Sequence, residues 1–140
     1  MRLTAFTDFG LRALMRMAGE PERALSTAEL AGEFRISRNH LAKAVAALSA
    51  AGFVETRRGG GGGAVLARSA AQMPLGDIVA VLEQRSPLVE CFQSDGGDCV
   101  VTPVCRLKTI LAGGRQRFLD ELNLYTLADC ALPARREAAQ

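Results

Sequence analysis

The sequence predicts a mainly α-helical fold with one short β-hairpin, on three observations. Leu, Ala and Val dominate a 140-residue chain that is 49% hydrophobic, 5% aromatic and without Trp, a composition that favours helices over a sandwich. Ser and Thr stand just ahead of several apolar-periodic stretches, where their side-chain oxygens cap helices. Five glycines in a row, Gly59 to Gly63, separate two short runs of strand-forming residues, as a hairpin requires. At 23% charged residues the chain can bury a core and lacks the polar bias of a disordered tail.

The elements follow in order. Thr7 and Asp8 are placed to cap a first helix, with Phe9, Leu11, Leu14, Met15, Met17 and Ala18 as its apolar positions. Gly19 and Pro21 stop it. Ser26, followed three residues later by Glu29, forms a capping box that opens a short helix through Leu30 to Phe34. Ser37 then caps a third helix over 38–51, with Leu41, Val45 and Leu48 inward and Gly52 at its end. Residues 53–57 alternate like a strand and 64–66 return as a second one.

Helix, helix, turn, helix, hairpin is the order of a winged helix-turn-helix. The third helix carries the functional argument. Ser37, Arg38, Asn39 and His40 lie at its start and Lys43 one turn on. A helix with long or amide side chains on an exposed first turn enters a major groove and reads base edges. Arg57 and Arg58, beside the glycines, suit phosphate or minor-groove contact from the hairpin.

Charge is segregated in the same sense. The net charge is only +2, yet residues 35–68 carry +5 and residues 69–101 carry −4. A basic stretch beside an acidic one fits a phosphate-facing module joined to a different one.

Beyond the hairpin, residues 74–84 read as a fourth helix with Leu75, Ile78, Val79 and Leu82 on one face. Residues 86–101 are irregular. A longer helix begins at Thr102-Pro103, a cap followed by proline at the first helical position. Val104, Leu107, Ile110, Leu111, Phe118, Leu119 and Leu122 carry its apolar pattern to about Asn123. Gly113-Gly114 marks a bend or a close helix approach. So long a helix needs a surface to cover it, and a second copy would also supply the two-fold symmetry that palindromic DNA mirrors. The expected organisation is a DNA-binding domain over 1–68, a connecting helix and loop over 69–101, a dimerisation helix and C-terminal helix over 102–132, and a tail over 133–140.

No apolar run is long enough to span a membrane, and the first residues lack the features of a signal peptide. The expected compartment is the cytoplasm, where clustered thiols more often bind metal or act in redox chemistry than form structural disulfides. Cys91, Cys99 and Cys105 lie together between the fourth helix and the long one. Their spacing matches neither the paired thiols of a zinc ribbon nor the tight run of a ferredoxin. Four readings stay open: an iron–sulfur cluster with one non-cysteine ligand, a zinc site with a borrowed ligand, a regulatory disulfide, and plain buried packing. Cys105 falls in the first turn of the long helix, whose positive end attracts an anionic group. Cys130, in an apolar and helical stretch, reads as packing. His40 is the one histidine and faces DNA rather than metal. No second histidine, no nucleophile–base pair and no phosphate-cradling context for the glycines supports an enzyme.

Several stretches carry a resemblance. They are residues 3–14, beginning Leu3-Thr4-Ala5-Phe6-Thr7-Asp8, residues 37–43, Ala51-Gly52-Phe53-Val54, the wing glycines, Thr102-Pro103-Val104-Cys105-Arg106-Leu107-Lys108 and Tyr125-Thr126-Leu127-Ala128-Asp129. Over nearly its whole length the chain resembles the Rrf superfamily of winged-helix regulators, and within it the nitric-oxide-sensing repressors. That resemblance implies a homodimer with one iron–sulfur cluster per subunit, four-iron four-sulfur in preference to two-iron two-sulfur. Its ligands would be Cys91, Cys99 and Cys105, with Asp8 of the partner subunit as the oxygen donor. It implies that the holo dimer represses by binding operator DNA and that nitrosylation of the cluster by nitric oxide releases it. Asp8 and Arg12 form an i,i+4 pair, so Arg12 can steer that carboxylate. The chain departs from the family pattern in three places. The interval from Cys91 to Cys99 is long, the wing lacks an aromatic, and Lys108 stands where the related iron–sulfur assembly regulator has its histidine ligand.

Overall fold

In the computed structural model, which describes residues 1–134, the first helix begins earlier than its sequence signals place it. Helix α1 spans Ala5–Gly19, and its cap is Thr4, whose Oγ1 accepts the Thr7 N–H at 3.2 Å. Thr7 and Asp8, expected as caps, lie inside the first turn. Thr7 is wholly buried, and its hydroxyl is used in a tertiary bond. Three threonine or aspartate candidates compete within one turn, and long-range packing decides between them.

Helix α2 covers Thr27–Phe34 and α3 covers Arg38–Ala50. Ser26 Oγ accepts the Glu29 N–H at 3.1 Å. The return half of the expected capping box is missing, because the Glu29 carboxylate pairs with Arg23 instead. The three-residue turn between α2 and α3 holds Arg35 at φ 55° and ψ 47°. That left-handed conformation costs a side-chain-bearing residue roughly 1–2 kcal/mol, and no glycine signals it.

Strands β1 (Val54–Arg57) and β2 (Gly63–Leu66) pair antiparallel, from Val54 opposite Leu66 to Arg57 opposite Gly63. The hairpin is tied back to the domain through Leu25 and Ala64, which exchange N–H···O bonds of 3.0 and 2.8 Å. A Cβ on Gly63 would lie 2.6 Å from the Leu25 carbonyl, so only glycine fits that approach.

Helix α4 is Leu75–Leu82, two residues shorter than expected at its end. Helix α5 is Arg106–Leu122 and does not begin at Thr102-Pro103. Thr102–Val104 form a separate 3₁₀ turn with proline at its start, and Cys105 breaks it with extended dihedrals before α5 begins. Cys105 is therefore the residue capping α5, not a member of its first turn. Gly113 and Gly114 lie inside an unbroken helix, and added Cβ atoms would meet nothing within 4 Å. Among the described residues, the close helix approach expected there is absent. The stretch around Cys130 is a 3₁₀ turn, Leu127–Cys130, with Cys130 half-buried. Residues 135–140, most of the expected tail, lie outside the described residues.

The core is continuous from the winged helix into the later elements. Leu14, Met17, Leu30, Leu41 and Leu48 from the first three helices share it with Met73, Ile78 and Leu127, all wholly or almost wholly buried. Complete burial of such side chains stabilises by roughly 1.5–3 kcal/mol each. No helix among the described residues is long and apolar enough to cross a membrane.

Candidate nucleic-acid interface and thiol segment

The start of α3 presents the expected side chains to solvent. Ser37 Oγ accepts the His40 N–H at 3.4 Å, which starts the helix. Arg38, Asn39, His40 and Lys43 are all exposed, while Leu41, Ala44, Val45 and Leu48 fill the inward face. Arg57 ends β1 and Arg58 opens the glycine loop, both exposed. Arg68, from the same basic stretch, is held elsewhere. Its guanidinium lies 5.0 Å from the Phe53 ring centroid and donates to the Gly52 and Gln72 carbonyls. The cations of α3 and the wing are thus open to solvent, as a phosphate- or base-facing role needs.

α1 and α2 are braced behind that surface by charge. Arg16, its side chain 4% exposed, pairs with Glu20 one turn on and with Glu33 of α2 at 3.2 Å. The hydrogen bond from Arg16, reinforced by Arg23, holds the Glu20 carboxyl below the ordinary carboxylate range. Hydrogen bonds from Arg23 to Glu29 and then Glu20 hold its guanidinium even more firmly protonated.

The thiol segment joins α4 to α5. Cys91 sits in a 3₁₀ turn, Glu90–Phe92, Cys99 in the loop beyond it, and Cys105 at the cap of α5. All are free and half-buried. The loop doubles back on itself, because the Asp98 N–H donates to Glu90 Oε1 at 2.9 Å. Gly97, at φ 61°, sits so close that a Cβ would lie 2.7 Å from the Glu90 carbonyl oxygen. Cys91 and Cys99 flank that contact. The Thr102 N–H donates to the Cys99 carbonyl at 3.2 Å and the Cys105 N–H to the Thr102 carbonyl at 3.3 Å. Successive turns thus carry the chain from the second thiol to the third.

The segment does not bring the three thiols into one site. Among the described residues no group of three or more His, Cys, Asp or Glu side chains is gathered so as to hold a metal ion. Asp8 is engaged locally, accepting Arg12 Nε at 3.2 Å and Arg12 Nη2 at 2.7 Å, with half its side chain exposed. The expected i,i+4 pair is therefore present, and it occupies both carboxylate oxygens.

By chemical type, though not by their arrangement in this conformation, the donors suit a thiolate-bound iron–sulfur group. Three free thiols fall on one segment, and Thr102 Oγ1, between the last two, is buried without a hydrogen-bond partner. A buried hydroxyl without a protein partner is met by water or by a bound group. The sequence presents Thr102 only as a helix cap, and nothing in it signals the buried, unpartnered hydroxyl. Glu83 gave no signal at all. It accepts the Thr4 N–H at 2.8 Å, the Thr4 hydroxyl at 2.9 Å and the Thr7 hydroxyl, which fastens the root of the thiol segment to the start of α1.

Comparison with known proteins agrees with this architecture. Residues 3–132 match the Rrf2 family, described as an iron-dependent transcriptional regulator. Among solved structures, T. potens IscR is 27% identical with a TM-score of 0.69, over 92% of this chain and 85% of that one. CymR (YrzC), the global cysteine regulator of B. subtilis, is 25% identical with a TM-score of 0.69, over 94% and 96%. The oxidized form of Staphylococcus aureus CymR, 23% identical with a TM-score of 0.70 over 97% and 100%, shares the fold. With a winged helix whose reading helix is exposed and a family match over almost its entire length, the chain belongs to the Rrf2 family: it is a DNA-binding transcriptional regulator and not an enzyme.

Proposed function

We propose that this regulator is a nitric-oxide-responsive repressor of the NsrR kind, a cytoplasmic homodimer that holds an iron–sulfur cluster and binds palindromic operator DNA. The observation that carries this reading is the set of three free thiols on one segment, in a chain whose family is described as iron-dependent. Cys91, Cys99 and Cys105 would hold the cluster, four-iron four-sulfur ahead of two-iron two-sulfur, with Asp8 of the partner subunit as the fourth donor. When bound, the cluster supplies iron that reacts with nitric oxide.

The chain's own residues do the rest. Closing the segment draws in Cys105, and with it the start of α5. Arg12, bonded to both oxygens of Asp8, would orient that carboxylate, whose remaining lone pairs are free to bind. Glu83 passes any movement of the segment to Thr4 and α1. Ser37, Arg38, Asn39, His40 and Lys43 read the major groove, and Arg57 and Arg58 hold the backbone. The dimer reading rests on the apolar side chains left uncovered on and before α5. Val104, Leu107 and Ile110 are 87%, 57% and 58% exposed, more than a lone chain leaves unburied without use. Residues 1–68 serve as the DNA-binding part, 69–101 as the connecting helix and sensing loop, and 102–132 as the dimer-forming part.

Anaerobic purification tests the cofactor. The expected protein is brown, with broad visible absorption and both iron and acid-labile sulfide, and Cys99→Ser bleaches it. A colourless protein without sulfide contradicts the proposal.

One observation favours a second reading. The thiols are free and not gathered around a common point, as suits a thiol switch without a cluster, whereas zinc held by the same thiols would need them drawn together. Zinc without sulfide, or reversible oxidation of the thiols that alters DNA binding, would identify that switch.

A further inference from the structure

The start of α4 lies directly against the end of α5. A Cβ on Gly76 would lie 2.2 Å from the Leu119 carbonyl oxygen and 2.5 Å from Asn123 Oδ1, so no larger residue fits without displacing α5. The cap of α4 is Pro74, which offers no side-chain acceptor. Asn123, at the end of α5, supplies it. Its Oδ1 accepts the Asp77 N–H at 3.1 Å, and its Nδ2 donates to Asp77 Oδ1 at 3.1 Å. The chain just beyond α5 is fastened to the same place. The Leu75 N–H donates to the Tyr125 carbonyl at 3.1 Å and the Leu127 N–H to the Met73 carbonyl at 2.9 Å. Leu127 itself is wholly buried in the core shared with α1 and α3.

Among the described residues of its own chain, the other end of α5 has no comparable hold. Leu107 and Ile110 are more than half exposed, and Gly113 and Gly114 face open space. A stiff helix welded at one end and free at the other turns about the weld. The thiol segment connects the end of α4 to the free end of α5, so it acts at the longest lever arm from that point.

We infer that Gly76, Asp77 and Asn123 are positioning residues: together they set the angle between α5 and the winged helix, and through it the separation of the two reading helices in a dimer. This rests on the homodimer reading above. None of the three is among the residues assigned above to DNA or to the cluster. Their contribution is to spacing selectivity rather than to the strength of any single half-site contact. In a two-fold DNA-binding protein the half-site spacing mirrors the separation of the reading helices, so a looser joint broadens the range of spacings accepted.

The test uses the full chain and duplexes selected by the wild-type protein, rebuilt with one base pair inserted or removed between half-sites. Wild type is expected to lose about tenfold in affinity per changed base pair. Asn123→Ala is expected to lose about threefold or less across the same series while binding an isolated half-site as wild type does. Gly76→Ala should move the preferred spacing, and if it does not fold, Asn123→Ala still decides the matter. Asp120→Ala, an exposed change one turn earlier on α5, should leave the spacing profile intact. A profile for Asn123→Ala identical to wild type overturns the inference. So does a uniform loss at every spacing and at the half-site, which marks a purely structural role. If wild type itself shows no preferred spacing, the dimer reading has failed, and the joint has no separation to set.

Discussion

Glu83, the first residue beyond α4, accepts the hydroxyl hydrogen of Thr7 across 76 positions of sequence. It also takes the N–H and hydroxyl of Thr4, at 2.8 and 2.9 Å. One carboxylate thus ties the cap of α1 to the point where the chain departs towards its cysteines. Asp8, proposed to reach a neighbouring subunit, lies in the same turn of α1.

Removing that carboxylate should be costly. Glu83→Ala leaves the buried Thr7 hydroxyl with Thr4 Oγ1 alone, at 3.1 Å, and should destabilise the fold by about 1–3 kcal/mol. Glu83→Gln keeps an acceptor and should lose less than half as much. Urea unfolding of the two variants distinguishes them, and equal losses would show that the acceptor oxygen is not what matters.

Stability should fall on acidification, with a sign set at α1. The Glu20 carboxyl is held below its ordinary range chiefly by the hydrogen bond from Arg16. A group with a lower pKa folded than unfolded stabilises fully above its unfolded value. That contribution disappears as pH falls through the carboxylate range towards the folded value. Melting temperatures measured across that range should therefore decline less steeply for Glu20→Gln than for wild type. Parallel curves would remove Glu20 from the account.

Arg35 is held left-handed between α2 and α3. Arg35→Gly relieves that conformation and should raise stability by roughly 0.5–1 kcal/mol. Chemical denaturation provides the check. A destabilised Arg35→Gly would mean that the arginine side chain makes a stabilising contact outweighing its backbone cost.

The two DNA-facing groups should separate by salt dependence. Arg38→Ala, Asn39→Ala or His40→Ala should relax sequence preference, costing about 1–3 kcal/mol on the best site and little on unrelated DNA. Arg57→Ala or Arg58→Ala should weaken all duplexes alike and reduce the salt slope by about one. Binding titrations at several salt concentrations resolve the two patterns. A changed preference with an unchanged slope for Arg57→Ala would place that residue on the bases.

The sequence made local features legible and left tertiary ones hidden. Ser26 and Ser37 announced α2 and α3, and both serine hydroxyls cap as expected. Leu41, Val45 and Leu48 marked the buried face of α3 correctly, because helical periodicity and burial coincide there. The start of α1 was misplaced because Thr4, Thr7 and Asp8 are equivalent by local rules, and the choice depends on Glu83, far along the chain. The start of α5 was misplaced because Thr102-Pro103 signals any helical turn, and here the turn is 3₁₀. Nothing near Asn123 reveals that its amide caps another helix. The thiols were legible as residues but not as a site. Spacing along a flexible segment does not determine whether side chains converge, and in this conformation the segment leaves them apart.

The central claim is that the state of the thiol segment governs DNA occupancy. The most direct measurement is an anaerobic mobility-shift titration on one selected operator, comparing cluster-loaded, cluster-free and nitric-oxide-treated protein. Tight binding is expected of the loaded form alone, with affinity falling by at least about tenfold in the other two. Equal affinity of all three forms would contradict it.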